Sequence, residues 1–147
     1  MQVETKVDRD TLVEGLNEDL SYEYQAVIMY NSFTAMASGI HRPILTGFFE
    51  TEILEELRHA QFLANKITAL GGTPTTTPAP VELYTGARDM LEAVLKAETE
   101  TIERYVQRRK QAEEFGDYGL AADLDEIISD ETEHKEETAK LLKDLSH

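Results

Sequence analysis

The sequence predicts an all-α protein, a bundle of four long helices with a long crossover between helices two and three. Three observations predict it. Four segments place apolar residues at the 3.6-residue helical period. The few Gly and Pro residues, 8 and 4 in number, lie mostly at the junctions between those segments. The central junction, "GGTPTTTPAP" followed by "VELYTG", spans roughly fifteen residues, longer than helix connections need. That length suits a chain travelling the whole height of a bundle.

The first segment runs from about Asp10 to Ala37, with Leu16, Leu20, Val27 and Tyr30 on one face. Thr11 and Glu14 have capping-box spacing at its start. "SGIHRP" breaks it, and Pro43 suits the first turn of the second segment, which continues to Leu70 with Phe49, Leu63 and Leu70 on its face. Proline removes donors and clashes with the preceding turn, so residues 71–80 continue no helix and read as a stiff linker. The third segment runs from about Ala87 to Phe115, with Leu91, Leu95, Ile102 and Tyr105. "GDYG" is a tight turn, and the fourth segment, Leu120 to Leu145, carries Leu124, Ile127, Leu141 and Leu145. The 147 residues are expected to form one domain of two similar helical hairpins, about 10–70 and 87–145.

Composition narrows the chemistry. The chain has no cysteine, which excludes disulfides, zinc ribbons, thiolate iron centres and thiol nucleophiles. A formal charge of −15 argues against nucleic acid as partner, because phosphate binding needs clustered Lys and Arg. "MQVETKVDRD" has no apolar run, and no stretch approaches the ~20 apolar residues of a membrane span. The expectation is a soluble cytoplasmic protein without membrane partners.

Each apolar stripe is interrupted by acid. Glu23 sits between Leu20 and Val27, and Glu98 between Leu95 and Ile102. The second and fourth stripes carry Glu-x-x-His, as Glu56 with His59 and Glu131 with His134. Residues three apart on a helix face the same way, so each pair offers an oxygen and a nitrogen to one point. A carboxylate and an imidazole in a core stripe are costly to bury without partners. Moreover, Leu91, Leu95, Glu98, Tyr105, Glu131 and His134 each lie 75 residues beyond Leu16, Leu20, Glu23, Tyr30, Glu56 and His59.

Packing two such hairpins about a pseudo-twofold axis would gather four carboxylates and two imidazoles in the core. Two divalent cations neutralise four carboxylates, and the mixed oxygen and nitrogen donors suit Fe²⁺ or Mn²⁺. The metal candidates are therefore Glu23, Glu56, His59, Glu98, Glu131 and His134. Glu52, one turn before Glu56, reads as a solvated or pore-lining acid, and Glu55 and Glu133 are expected to face outward. His41, in a turn, and His147, at the terminus, are read as without function.

The motifs "LNEDLSYEYQAVIMY", "EELRHA", "AETETIERY" and "SDETEHKEE" resemble those of the ferritin-like superfamily, bacterioferritin most closely, over nearly the whole chain. The resemblance implies a ferritin-like bundle holding two iron ions per subunit, with manganese as the other candidate. It implies that Glu56 and Glu131 bridge the metals. Glu23 with His59, and Glu98 with His134, would be the terminal ligands. Tyr30 occupies the family's site-adjacent Tyr position; with Tyr105 it is a catalytic candidate in a redox or ligand-bonding role. The plainer reading makes both core aromatics with a hydrogen bond.

The implied activity is that of a di-iron carboxylate ferroxidase, oxidising Fe²⁺ with O₂ or H₂O₂ for iron storage or detoxification, in a homo-oligomer of two or more chains. Bacterioferritin has a haem-binding Met directly after its second-helix ligand Glu; Leu57 stands there, so no haem is expected. The family's fifth helix has no counterpart, since the chain ends thirteen residues after His134, and the shell is left open. Two other readings stay open. One is a rubrerythrin-like peroxide reductase, although Thr101 stands where that family has an extra ligand Glu. The other is a bundle that metal stabilises without turnover.

Overall fold

The structure, a computed structural model, describes residues 7–145. Residues 1–6, the start of the N-terminal stretch, and His147 lie outside the described residues. Four helices and no strands are present among the described residues: α1 (Arg9–Met36), α2 (Arg42–Ala69), α3 (Ala87–Phe115) and α4 (Tyr118–Leu142). The all-α bundle and its long crossover are as expected, with two local differences.

The cap of α1 is Asp8, whose carboxylate accepts the Thr11 backbone N–H at 2.7 Å, so the helix starts before the Thr11–Glu14 box. Helix α4 begins two residues earlier than expected because Asp117 caps it, accepting from Leu120 N at 3.0 Å, and it ends at Leu142. Gly116, at φ 98°, closes α3 in the left-handed conformation that favours glycine, which turns the chain sharply into that cap. Pro43 lies in the first turn of α2 as expected.

Helix α1 packs chiefly on α2 and α3 chiefly on α4, with α1 against α3 joining the hairpins. The crossover follows α1 from its beginning toward its end. Asn17 accepts from Thr75 N at 2.8 Å and donates to Thr73 O at 3.0 Å; Ser21 O accepts from Ala79 N at 2.9 Å. Gln25 donates to Pro80 O at 2.6 Å. These three residues are four apart, one strip of helix surface. The segment is thus pinned along α1 and delivers α3 at the far end, so α3 runs the same way as α2.

Two apolar clusters result. One gathers Leu12, Leu16, Leu20, Leu63, Ile67, Tyr105, Leu120 and Leu124 at the end where α1 begins. The other gathers Tyr30, Phe33, Leu45, Phe49, Met90, Leu91 and Val94 at the opposite end. Val27, Leu95, Ile102, Leu70, Leu141 and Leu145, assigned to the core stripes, are only half-buried. Val27 instead lines a surface groove with Thr76 and Pro78 of the crossover.

Candidate metal centre

Between the two apolar clusters lies a polar layer. Glu23, Glu56, Glu98 and Glu131 are each 2 % exposed, and His59 is 5 % exposed. One such residue comes from each of α1 and α3 and a Glu–His pair from each of α2 and α4, because every helix crosses the same level. Donor atoms of Glu23, Glu56, His59 and Glu131 converge within 4.8 Å of one another, as do those of Glu98, Glu131 and His134. The structure thus brings all six metal candidates together, with Glu131 common to both groups.

The imidazoles are oriented alike. His59 Nδ1 faces inward, 3.3 Å from Glu131, 3.6 Å from Glu23 and 3.7 Å from Glu56, while its Nε2 faces Asp130 at 3.6 Å. His134 Nδ1 faces Glu52 at 2.6 Å and Glu131 at 3.9 Å, while its Nε2 meets Glu55 at 2.8 Å. Glu55 and Asp130 are themselves 75 residues apart. Each reaches across from the opposite hairpin; Glu55 hydrogen-bonds His134 Nε2 and orients that ring, whereas His59 Nε2 faces Asp130 without a hydrogen bond. Glu55 is therefore half-buried and turned toward the centre, a correction to its expected outward position, whereas Glu133 is exposed as expected.

Glu52 also departs from expectation. It is 3 % exposed rather than solvated, because its face of α2 is covered by α4 and His134. Leu57, by contrast, is 46 % exposed and points away from the layer. His41 is exposed at the start of α2 and makes no side-chain cap there.

The tyrosines are both buried beside the layer. Tyr105 donates to Glu23 Oε1 across the bundle. Tyr30 is surrounded by acid: burial raises its pKa well above the usual value, and the charges of Glu98, Glu56, Glu131 and Glu52 add to that. Glu98 Oε1 accepts from Thr138 at 2.7 Å, a contact that sequence did not reveal, since the position 75 residues earlier is Leu63. Glu23 and Glu98 thus each have one oxygen held by a hydroxyl, and the Oε2 of each is buried with no hydrogen-bond partner.

That pattern is general to the layer. Among the described residues, eight buried side-chain polar atoms lack a hydrogen-bond partner, and they belong to the six metal candidates and Glu52. Buried polar atoms are normally satisfied, since leaving one unpaired costs about 1–3 kcal/mol. Their concentration on one point is what a shared cation would relieve, so the donor set fits a pair of divalent metals.

Protonation is shifted to match. Burial raises Glu56 well above the carboxylate range, with the charges of Glu23 and Glu131 pushing the same way. Burial raises Glu98 to about 8, against the pull of the Thr138 hydroxyl. Burial alone would lower both histidines, but the facing carboxylates outweigh it, carrying His59 to about 10 and His134 to about 9. For Glu23, burial pushes upward, yet the protons of Glu56, His59 and Tyr105 that face it hold it below the usual value. Four protons, on Glu56, Glu98, His59 and His134, do in the metal-free protein what two divalent cations would do.

A pH dependence follows. Glu98, His59 and His134 bind their protons more tightly folded than unfolded. Their contribution to stability is therefore complete below the unfolded values of 4.5 and 6.5 and is lost as pH rises through about 8, 9 and 10. The metal-free protein is expected to melt progressively lower between pH 7 and pH 10, and metal-loaded protein to melt higher with a widening gap, because metal replaces the protons. Thermal melts in chelator and in Co²⁺ across this range check it; parallel curves would contradict it.

The comparisons with known proteins agree with this architecture. The family described as "Ferritin-like domain" matches residues 13–147. A bacterioferritin of Brucella melitensis is 30 % identical over 124 residues, 84 % of this chain and 77 % of that one. A solved structure of a ferritin-like, diiron-carboxylate protein from Bacillus anthracis is 48 % identical, with a TM-score of 0.91, covering 95 % of this chain and 100 % of that one. The bacterioferritin-related protein of Bacteroides fragilis, described as a dodecameric thioferritin, is 27 % identical with a TM-score of 0.84, covering 96 % and 89 %. With four helices in this order around a layer of convergent carboxylates and imidazoles, the chain belongs to the ferritin-like family.

Proposed function

We propose that the protein is a ferroxidase that oxidises Fe²⁺ with O₂ or H₂O₂ at a dinuclear centre. The observation that carries the reading is the set of unpaired buried donor atoms converging from all four helices. In this reading Glu23 and His59 would hold one ion and Glu98 and His134 the other, with Glu56 and Glu131 within reach of both. The two Fe²⁺ ions supply one electron each, so that O₂ with two protons leaves as H₂O₂, or H₂O₂ with two protons leaves as two waters.

The chain supplies the surroundings. Anionic oxygen donors favour Fe³⁺ over Fe²⁺, and so lower the barrier to giving up the electron. Glu55 keeps His134 Nδ1 aimed inward, and Tyr105 fixes the Glu23 carboxylate. Leu20, Leu63 and Ile127 on one side, with Tyr30 and Phe49 on the other, keep bulk water from the layer. Tyr30 and Tyr105 are placed to hold a ligand or a proton next to the ions. Leu57 offers no thioether to a haem, and the reading includes none. Self-assembly completes it: Ile28, Leu54 and Leu57 expose apolar surface on α1 and α2, and the related Bacteroides fragilis protein is described as dodecameric.

Aerobic addition of two Fe²⁺ per chain tests the reading. Rapid near-ultraviolet ferric absorbance that saturates at two ions per chain is the expected result, with His59→Ala slower by about tenfold or more. Wild-type oxidation no faster than in buffer would sink it, as would an undiminished rate in His59→Ala. Metal retained without turnover would instead favour the metal-stabilised bundle.

A further inference from the structure

The two halves of the layer are not equivalent. Six of its seven buried donor-bearing residues are related by the 75-residue repeat, but the counterpart of Glu52 is Ile127, an apolar core residue. Glu52 therefore adds a carboxylate to the His134 half that the His59 half lacks. Its Oε2 lies 2.6 Å from His134 Nδ1, yet neither atom has a hydrogen-bond partner of proper geometry. The two atoms converge on a common point rather than along an N–H···O line. Donor atoms of Glu52, Glu56 and His134 lie within 4.8 Å of one another. On its other nitrogen His134 is already held by Glu55 at 2.8 Å, so Glu52 is not needed to orient the ring.

We propose that Glu52 is a seventh metal ligand, one that makes the His134 position bind divalent metal more tightly than the His59 position. This rests on the dinuclear reading above. At His134 two sets of donors meet, Glu52 with Glu56 and Glu98 with Glu131, whereas at His59 one set gathers Glu23, Glu56 and Glu131. A fourth anionic oxygen raises affinity for a hard divalent ion, so the halves fill in order. The ion that enters first then neutralises the half richer in acid, and the second enters a site already arranged by its neighbour.

Anaerobic titration of the intact protein with Co²⁺, followed by visible absorption and by calorimetry, tests this without turnover. Wild type is expected to bind two ions in steps separated by about tenfold or more in affinity. Glu52→Gln, which keeps shape and removes charge, is expected to weaken the tight step by about tenfold and bring the two together. Glu52→Ile, which copies Ile127, should do the same. His134→Ala should abolish the tight step and His59→Ala the weak one. Circular dichroism of each metal-free variant shows whether it has folded. Folded Glu52→Gln with both wild-type affinities would overturn the proposal, as would loss of the tight step in His59→Ala instead. Glu56→Ala separates the two claims: two undiminished steps there would remove the dinuclear reading itself, whatever Glu52→Gln shows.

Discussion

Glu56→Gln combined with Glu131→Gln is expected to slow iron oxidation at least ~100-fold, about 2.7 kcal/mol of lost barrier reduction, while raising the melting temperature of the metal-free protein. The two effects have one cause. Both carboxylates are 2 % exposed and face other acids, Glu56 against Glu23 and Glu131. In the absence of metal Glu56 is buried against Glu23 and Glu131, whose charges repel its own and drive it to take up a proton. Amides of the same shape remove that repulsion, worth on the order of 1–2 kcal/mol and so a few degrees in a chain of this size at pH 8. With metal the sign is expected to reverse, because two carboxylates would be lost from around a pair of ions carrying four positive charges. Stopped-flow oxidation and thermal melts in chelator measure the two arms. A double variant that oxidises iron within threefold of wild type would show that these residues do not span the ions. One that melts lower without metal would show that the carboxylates stabilise the bundle by another route.

Arg108→Ala is expected to destabilise the protein by about 3–5 kcal/mol, the usual consequence of stranding a buried charge, and to lower the melting temperature by roughly ten degrees. Arg108 is 3 % exposed and forks onto Asp19, with Nε 2.8 Å from Oδ2 and Nη2 3.2 Å from Oδ1. Burial raises Asp19 to about 6 even against the Arg108 charge, so without the guanidinium it would have to take up a proton. The arginine also occupies the space above Gly15, where a Cβ would overlap the guanidinium. The repeat supplies its own comparison, for the positions matching Asp19 and Arg108 are Val94 and Phe33, both in the apolar cluster at the other end. Asp19→Val with Arg108→Met should therefore recover most of the loss. A double-mutant cycle by chemical denaturation reads this directly. If Arg108→Ala unfolds at the wild-type midpoint, the pair contributes nothing.

The repeat legible in the sequence explains why some polar core residues could be found and others could not. Glu23, Glu56, His59, Glu98, Glu131 and His134 interrupt apolar stripes twice over at the same offset, and helical periodicity translates such an offset into position on a face. Glu52, Asp19 and Arg108 have no polar counterpart in the other hairpin, so one helix alone offered no reason to place them inside. An acid one turn from a core position is usually solvated. Whether it is buried depends on what the neighbouring helix places over it, here His134 over Glu52 and Arg108 over Asp19.

By itself the sequence determined four helices, the long central crossover, the level at which acid enters each stripe, and the six residues that meet there. These follow from local periodicity, from proline and glycine at the breaks, and from duplication. Only the tertiary structure decided which carboxylate faces which imidazole, that Tyr105 and Thr138 anchor Glu23 and Glu98, and that the crossover is tied to Asn17, Ser21 and Gln25. It alone showed the duplicated centre to be lopsided by Glu52. The physical reason is that these contacts join residues 40 or more positions apart, and such pairings depend on how the helices rotate against one another, which no single helix encodes.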